Sequence, residues 1–442
     1  MVGGTYGALA RFGLLFVVAC GAATPSAVGT DASVPDADAG RTLTGSFGAP
    51  ITFATHAELA SYGFSFGPSD GQFGAIPAGG SDYVFYGTAG GAASCAGSPG
   101  VKGSAFSFTG TLDHVTGSNG CTRLFGPGSG PQGWTFDKDY AGGGQIVRFS
   151  AQGKSGWLMP FHGEMWWQNP QTTDGKCLVA GGSGSKVECF YSSLGLAVST
   201  DDGKTFQVAG EILQPSQPVS VFMGGGRNMH VGYGSLIVAD ANGKHLDNPP
   251  ADPTAAYFYL FYSDSLATLP GVCANAICMG VARGSYAGVV AAALSGDPHA
   301  VATVFHKYDG ATPDPWTSPA TSDTPDNSGT AGKFAPLWTD TPSGAEVLYD
   351  SAFDVYLAVG QTTAGLFVRA SHDLLDWSAP LSAPYAEAGR TAYYPTLMGE
   401  TGDPTVGGAA PRIYFSSFPV GAFPNYATST FEAVPFSLAW TP

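Results

Sequence analysis

Three observations predict an all-β fold. The chain of 442 residues holds 64 Gly and 32 Pro with only 12% charged and 44% hydrophobic residues, a composition that suits many short strands joined by tight turns. Aromatic-rich segments such as DYVFYG, GWLMPFH, YFYLFYS, VYLAVGQ and RIYFSSF alternate or run apolar, with the β-branched and aromatic enrichment of strands. Around them one theme recurs: a Gly-rich loop, a short apolar strand, a turn and an aromatic strand. GQFGAIPAGGSDYVFYGTA is one copy and GGGQIVRFSAQGKSGWLMPFHGE another, and three more follow. A β-meander repeated at long period is the signature of a propeller, and five copies predict five blades. No segment with helical periodicity and caps competes, so negligible helix is expected.

The recurring theme is expected from about residue 41. Before it, Arg11 precedes the apolar run Phe12–Ala19, too short to span a bilayer and suited to the core of a signal peptide at residues 1–19. Val17-Val18-Ala19-Cys20-Gly21 resembles the lipobox of bacterial lipoproteins, which implies lipidation at Cys20; an ordinary signal peptide is the alternative. Residues 20–40 are small, polar and acidic, a flexible tether unable to form a core. The propeller domain is therefore placed at 41–442. The expected location is the bacterial outer membrane or cell surface through the lipid anchor, with secretion as the alternative.

Six further cysteines remain: Cys95, Cys121, Cys177, Cys189, Cys273 and Cys278. An even number in an exported chain reads as disulfides. The pairing stays open among fifteen connectivities, nearest-neighbour pairing being the simplest; the spacings do not repeat as zinc motifs do. A net charge of −16 argues against nucleic acid or an anionic membrane surface as partner. The expected state is a monomer without cofactor. A calcium ion in the central channel is compatible with a polar funnel, but no ligand set is legible.

In AVSTDDGKTFQVAG, Asp-Gly is a hairpin signal between two strands. The series Ser199-x-Asp201-x-Gly203-x-Thr205-Phe206 resembles the Asp box of sialidases and other propellers, which implies a structural carboxylate accepting backbone N–H bonds at a blade edge. A calcium loop needs more alternate oxygen ligands. SHDLLDWSAP, from Ser371, is similar to the blade turn of five-bladed propeller glycosidases, the group of arabinanases, xylosidases, levansucrases and invertases. That resemblance implies three acids lining the funnel: a base or nucleophile Asp, an orienting Asp and a general-acid Glu. Glycosidic cleavage needs one carboxyl protonated and another ionised.

Asp70 and Asp139 stand before the first strands of the first two repeats, about where the resemblance implies the group's Asp residues. Asp137 is expected to share a face with Asp139 if the segment is extended. The third repeat opens with Arg227 and His230 and has no Glu, so the general acid is assigned to Glu164 of HGEMWW, with His162 beside it. Trp166 and Trp167 are flat surfaces for sugar rings, and Arg390 and Tyr393 open the fifth repeat. The catalytic candidates are thus Asp70, Asp139 and Glu164; the binding candidates are His162, Trp166, Trp167, Arg227, His230, Arg390 and Tyr393. The expected function is hydrolysis of a glycosidic bond in a poly- or oligosaccharide by an exported glycoside-hydrolase-like propeller. A non-catalytic propeller lipoprotein that binds glycan or protein is the alternative. A sialidase-like triad of Arg148, Arg227 and Arg390 is a third reading.

Overall fold

The computed structural model describes residues 41–62, 71–89, 94–95, 98–99, 103–116, 121–166, 176–178, 186–188, 190–220, 231–265, 277–339, 346–362, 364–422 and 425–441. About half of these residues form β-strands. Apart from two small two-stranded sheets, Ser94–Cys95 with Ser98–Pro99 and Lys176–Leu178 with Lys186–Glu188, the strands fall into five groups. Gly74–Gly79, Asp82–Ala89, Ser104–Gly110 and Thr122–Phe125 form the first, and Val147–Ala151, Lys154–Trp166, Phe190–Ser199 and Gln207–Leu213 the second. These two share one nine-stranded sheet, because Tyr140–Gly142 pairs antiparallel with Lys154–Trp166 and touches Ser104–Gly110 in parallel at Ala141. The third group starts with Val231–Asp240, Ala256–Ser265 and Ile277–Ser285, and the fourth is Glu346–Asp350, Val355–Thr362 and Gly365–Ser371.

The fifth group is built from both ends of the described chain. Arg390–Met398, Arg412–Pro419 and Thr430–Thr441 are its consecutive strands, and the early strands Thr42–Phe47 and Ile51–Thr55 both pair with Thr430–Thr441. Thr42 lies opposite Thr441. Ladder hydrogen bonds thus tie residues almost 400 positions apart into one sheet.

Apolar faces pack between successive groups. Tyr86, Phe161 and Phe206 join the first two; Leu196, Leu236 and Phe258 the second and third; Ile237, Tyr259 and Tyr356 the third and fourth. Leu357, Ile413 and Phe436 join the fourth and fifth. Phe53, Phe85, Tyr414 and Phe431 close the circuit between the fifth and first. Within this last cluster, Phe53 meets Phe85, Tyr414 and Phe431, each at a centroid distance of 5.2 Å and near-perpendicular, the edge-to-face arrangement favoured by ring quadrupoles.

Polar side chains knit the centre. The Gln145 amide donates to the Val347 carbonyl (3.1 Å) and accepts from Leu236 N–H (2.7 Å). Ser235 accepts from Val347 N–H (3.0 Å). Gln72, its amide oriented to satisfy both groups, donates to the Gly234 carbonyl (3.1 Å) and accepts from Glu346 N–H (3.2 Å). Phe73 N–H donates to the Thr396 hydroxyl (3.3 Å). All five groups therefore meet in one buried hydrogen-bonded hub.

The expectation of negligible helix is corrected. His56–Ser61 is a short helix with a Thr55–Glu58 capping box, Tyr286–Ser295 runs ten residues to Gly296 in the left-handed region, and Pro298–Ala302 follows an Asp297 cap. Tyr286–Ser295 is Ala- and Val-rich and packs into the core between the second and third groups, so it shows none of the polar face that betrays a surface helix. Cys95 and Cys121 form a disulfide, and Cys278 is also disulfide-bonded. Cys20, Cys189 and Cys273 lie outside the described residues, and of Cys177 only its strand is described.

Buried ionisable groups cluster between the second and third groups. Burial pushes Glu211 up to about 8, the nearby Asp137 adding to the effect. Burial drives the Lys307 ammonium down; it donates to the carbonyls of Gln214 (2.7 Å) and Gly332 (3.1 Å). Glu211 keeps a proton that the unfolded chain releases near the ordinary carboxylate value. Its stabilisation is therefore complete below that value and is lost as pH rises through about 8. Glu211→Gln is expected to flatten the fall in melting temperature between about pH 5 and 8; thermal denaturation across that range gives the check, and an unchanged slope would assign the titration elsewhere.

Candidate functional site

The strand Lys154–Trp166 is thirteen residues long and outruns its hairpin partner. Val147–Ala151 covers its first half; beyond that, His162, Gly163 and Glu164 lie opposite Gly142, Ala141 and Tyr140. Alternation along a strand places His162, Glu164 and Trp166 on one face. There the Glu164 carboxylate is held from two sides: His162 Nε2 lies 3.0 Å from Oε1, and the Trp166 indole N–H donates to Oε2 at 2.7 Å. The side chains of His162 and Glu164 are only 20% and 11% exposed. Tyr140 closes one side, its ring edge-on to His162 at 5.6 Å.

Asp139 completes the cluster. Its Oδ2 accepts the Trp166 backbone N–H (2.7 Å), while its own N–H donates to the Glu164 carbonyl (2.9 Å). Asp139 is exposed, whereas Asp137 is buried and accepts Gly130 N–H at 2.7 Å. The segment turns at this point instead of extending, so the expected shared face of Asp137 and Asp139 does not form. Burial pushes Asp137 up to about 6.

Of the other candidates, Asp70, Trp167, Arg227 and His230 lie outside the described residues. Arg390 stands apart from the Glu164 cluster, on the first strand of the fifth group. Its Nε and Nη2 donate to Ser417 Oγ (2.6 Å), the Ser417 carbonyl (2.7 Å) and Thr430 Oγ1 (2.9 Å). Tyr393 packs edge-on to Phe418 at 5.6 Å, and burial raises its phenol. Arg148 lies three residues beyond the hub residue Gln145, and Arg390 six before the hub residue Thr396. Arg148 is exposed on the second group, opposite Trp157, and Arg390 stands on the fifth group.

Sequence reasoning missed Tyr140, Glu387, whose Oε2 accepts from Ser417 Oγ (2.8 Å) and lies 3.5 Å from Arg390 Nε, and the hub residues Gln72, Gln145 and Glu346. The hub had a signal: Gln145 and Glu346 are lone polar residues at the heads of apolar strands, GGGQIVRF and AEVLYD, where a buried polar group must find partners.

The turn at Ser199–Phe206 lies at the other end of the second group. Register pairs Ser199 with Trp157 and Phe190 with Trp166, so the full strand separates it from Glu164. Asp201 accepts from Ser199 Oγ (2.8 Å), Thr205 N–H (3.0 Å) and Thr205 Oγ1 (2.6 Å). Gly203 has φ +77, and a Cβ there would lie 2.3 Å from the Tyr86 hydroxyl, which donates to the Gly203 carbonyl at 3.1 Å. Phe206 packs edge-on to Tyr86 at 5.7 Å. The turn therefore locks the second group onto the first. Ser371–Trp377 repeats the pattern, with Asp373 accepting from Ser371 Oγ and from the N–H groups of Leu375 and Asp376.

The Thr205 hydroxyl and amide hold Asp201 down to about 2. Its stabilisation is present above the ordinary carboxylate value and is lost as pH falls through about 2. Asp201→Ala is expected to cost about 1–3 kcal/mol, nearer the lower figure because the group is partly exposed. Denaturant melts measure that loss, and saccharide affinity is expected to stay unchanged; lost binding at unchanged stability would refute the structural role.

No protein-family model matches the chain, and no curated protein matches it. Solved structures resemble it at low identity. The catalytic domain of a GH62 α-L-arabinofuranosidase from Coprinopsis cinerea is 9% identical, with a TM-score of 0.45, over 89% of this chain and 97% of that one. A family 117 glycoside hydrolase from the marine bacterium Zobellia galactanivorans is 7% identical, with a TM-score of 0.43, over 90% of each chain. A levansucrase mutant from B. megaterium is 10% identical, with a TM-score of 0.40, over 90% of this chain and 85% of that one. No residue correspondence follows at such identities.

Proposed function

We propose that this protein is an exported five-bladed β-propeller, glycoside-hydrolase-like, that acts on a glycosidic bond of a poly- or oligosaccharide. Five strand groups with an apolar layer between each successive pair support the blade count. The carrying observation for function is the Glu164–His162 contact at 3.0 Å beside the Trp166 indole. A carboxyl and an imidazole at that distance satisfy one another with the proton on either partner, so the pair can deliver a proton to a leaving oxygen and recover it. Asp139 fixes the Trp166 backbone and so orients Glu164's indole partner. In this reading Asp70 supplies the second carboxylate that glycosidic cleavage requires. Export rests on residues 1–19, and anchoring on Cys20.

A non-catalytic glycan-binding role is the second reading. It is favoured by the use of Asp139 Oδ2 on a backbone amide and of both Glu164 oxygens on side-chain donors, an arrangement equally suited to holding a fixed binding surface.

Purified full-length protein, assayed on aryl glycosides and polysaccharides, tests both. Glu164→Gln is expected to lower hydrolysis of natural linkages by about 10²–10⁴-fold while saccharide binding persists, since the amide keeps the shape but cannot carry the proton. Full activity in Glu164→Gln refutes the assignment. Binding without turnover in the unmodified protein, lost in Trp166→Ala, establishes the second reading.

A further inference from the structure

We propose that Tyr140 is a positioning residue of the candidate site: its ring holds the His162 imidazole on the Glu164 carboxylate and couples that pair to the first strand group. The inference rests on the proposed role of the His162–Glu164 pair; the contact itself stands without it.

Register brings Tyr140 to the pair. Tyr140–Gly142 is three residues long and runs antiparallel to the end of Lys154–Trp166, with Tyr140 opposite Glu164 and Gly142 opposite His162. Residues directly opposite on antiparallel strands share a face, and alternation sends the next residue to the other one. Ala141 accordingly joins the apolar layer between the first two groups. Tyr140 instead sets its ring 5.6 Å from the His162 ring, with the planes 79° apart. Tyr140 is only 4% exposed, so the ring supports the pair from within and offers no face to a sugar.

Two glycines make room for the ring. An added Cβ at Gly142 would lie 2.6 Å from Tyr140 Cε1 and 2.7 Å from Thr88 Oγ1. The ring therefore takes the space that a side chain opposite His162 would fill. At Gly103, with φ +63 in the left-handed region, an added Cβ would lie 2.3 Å from Tyr140 Cδ2. Gly103 leads into the first-group strand Ser104–Gly110, and its carbonyl accepts the Ala141 N–H at 2.8 Å. The Thr88 hydroxyl, also of the first group, donates to the Gly143 carbonyl at 2.9 Å. First-group backbone and the His162 imidazole thus both bound the ring.

The consequence falls on His162. Rotation of the imidazole about its Cβ–Cγ bond would carry Nε2 away from Glu164 Oε1, from which it lies 3.0 Å. A buried ring packed against the imidazole opposes that rotation. Such packing acts on geometry alone, and a catalytic group displaced by about 1 Å loses about 10²-fold in rate.

The test uses the full-length protein with isotope-labelled histidine. At about pH 8, where an ordinary imidazole is neutral, the His162 nitrogen resonances, assigned with His162→Gln, are expected to report one tautomer in the unmodified protein and in Tyr140→Phe. Averaged tautomers are expected in Tyr140→Leu, since the tautomer follows the hydrogen bond that the ring keeps. On a natural glycan linkage, Tyr140→Leu is expected to lower kcat about 10²-fold with KM unchanged, because the buried ring does not meet the sugar. Tyr140→Phe, which keeps the ring, is expected to restore the rate. Added to His162→Gln, Tyr140→Leu is expected to cost nothing more, since both remove the same support. Melting temperatures confirm that the variants fold, and Tyr140→Met, with its narrow adaptable chain, replaces Tyr140→Leu if that variant does not. A single His162 tautomer in Tyr140→Leu, equal losses in Tyr140→Phe and Tyr140→Leu, or an undiminished loss on the His162→Gln background overturns the proposal. Absence of hydrolysis in the unmodified protein overturns the catalytic reading alone, and the His162 resonances then decide the role of Tyr140.

Discussion

Five strand groups cannot crowd around a common centre unless the polar backbone groups that arrive there are satisfied without water. In this protein side chains solve the problem. Gln145 bridges the second group to the third and fourth, Gln72 bridges the first to the third and fourth, and Thr396 ties the fifth to the first. An amide offers both a donor and an acceptor at one point, which suits a place where strands from different sheets end side by side. Glu346 belongs to this hub and is buried, which pushes its carboxyl well above the usual carboxylate range. The hub sets the rotation of each sheet about its neighbours, and with it the positions of everything at the strand ends.

The two ends are used differently. At one end, Ser-x-Asp turns at Ser199 and Ser371 close on themselves, and the Ser199 turn plugs onto the Tyr86 hydroxyl of the adjacent group. These groups are spent on backbone amides and contribute rigidity. At the other end, the strand Lys154–Trp166 outruns Val147–Ala151 and carries His162 and Glu164 between Tyr140–Gly142 and Phe190–Ser199, with Trp166 at its last position. There the side chains bond to one another, and the cluster stays partly open to solvent. Building it on a strand instead of a loop fixes the spacing of the three side chains by the strand's own two-residue repeat.

The acidic composition fits this division. Surface carboxylates such as the partly exposed Asp201 and the exposed Asp252 are held by local hydroxyl and amide donors, so they stay ionised at the surface. The buried acids Asp137, Glu211 and Glu346 lie where burial opposes charge. Lys307 stands among backbone carbonyls between the second and third groups, a cation beside the buried acids of that region.

Local information was legible in the sequence. The aromatic strands, the Asp-Gly hairpin at Asp202-Gly203 and the pairing of His162 with Glu164 on one face all follow from short-range rules: alternation, turn chemistry and composition. The helix Tyr286–Ser295 was not legible, because its half-exposed positions Ala287, Gly288, Ala291 and Leu294 are as apolar as its buried ones and leave no periodic polar face. Nor was the turn that buries Asp137 while leaving Asp139 exposed. Tertiary structure alone decided that Thr42–Phe47 and Ile51–Thr55 close the last sheet, that Gln72, Gln145 and Glu346 meet, and that Arg390 donates to Ser417 and Thr430, apart from the Glu164 cluster. Those outcomes depend on contacts between residues tens to hundreds of positions apart, and a linear pattern carries the demand for a buried partner but not the identity of the partner that meets it.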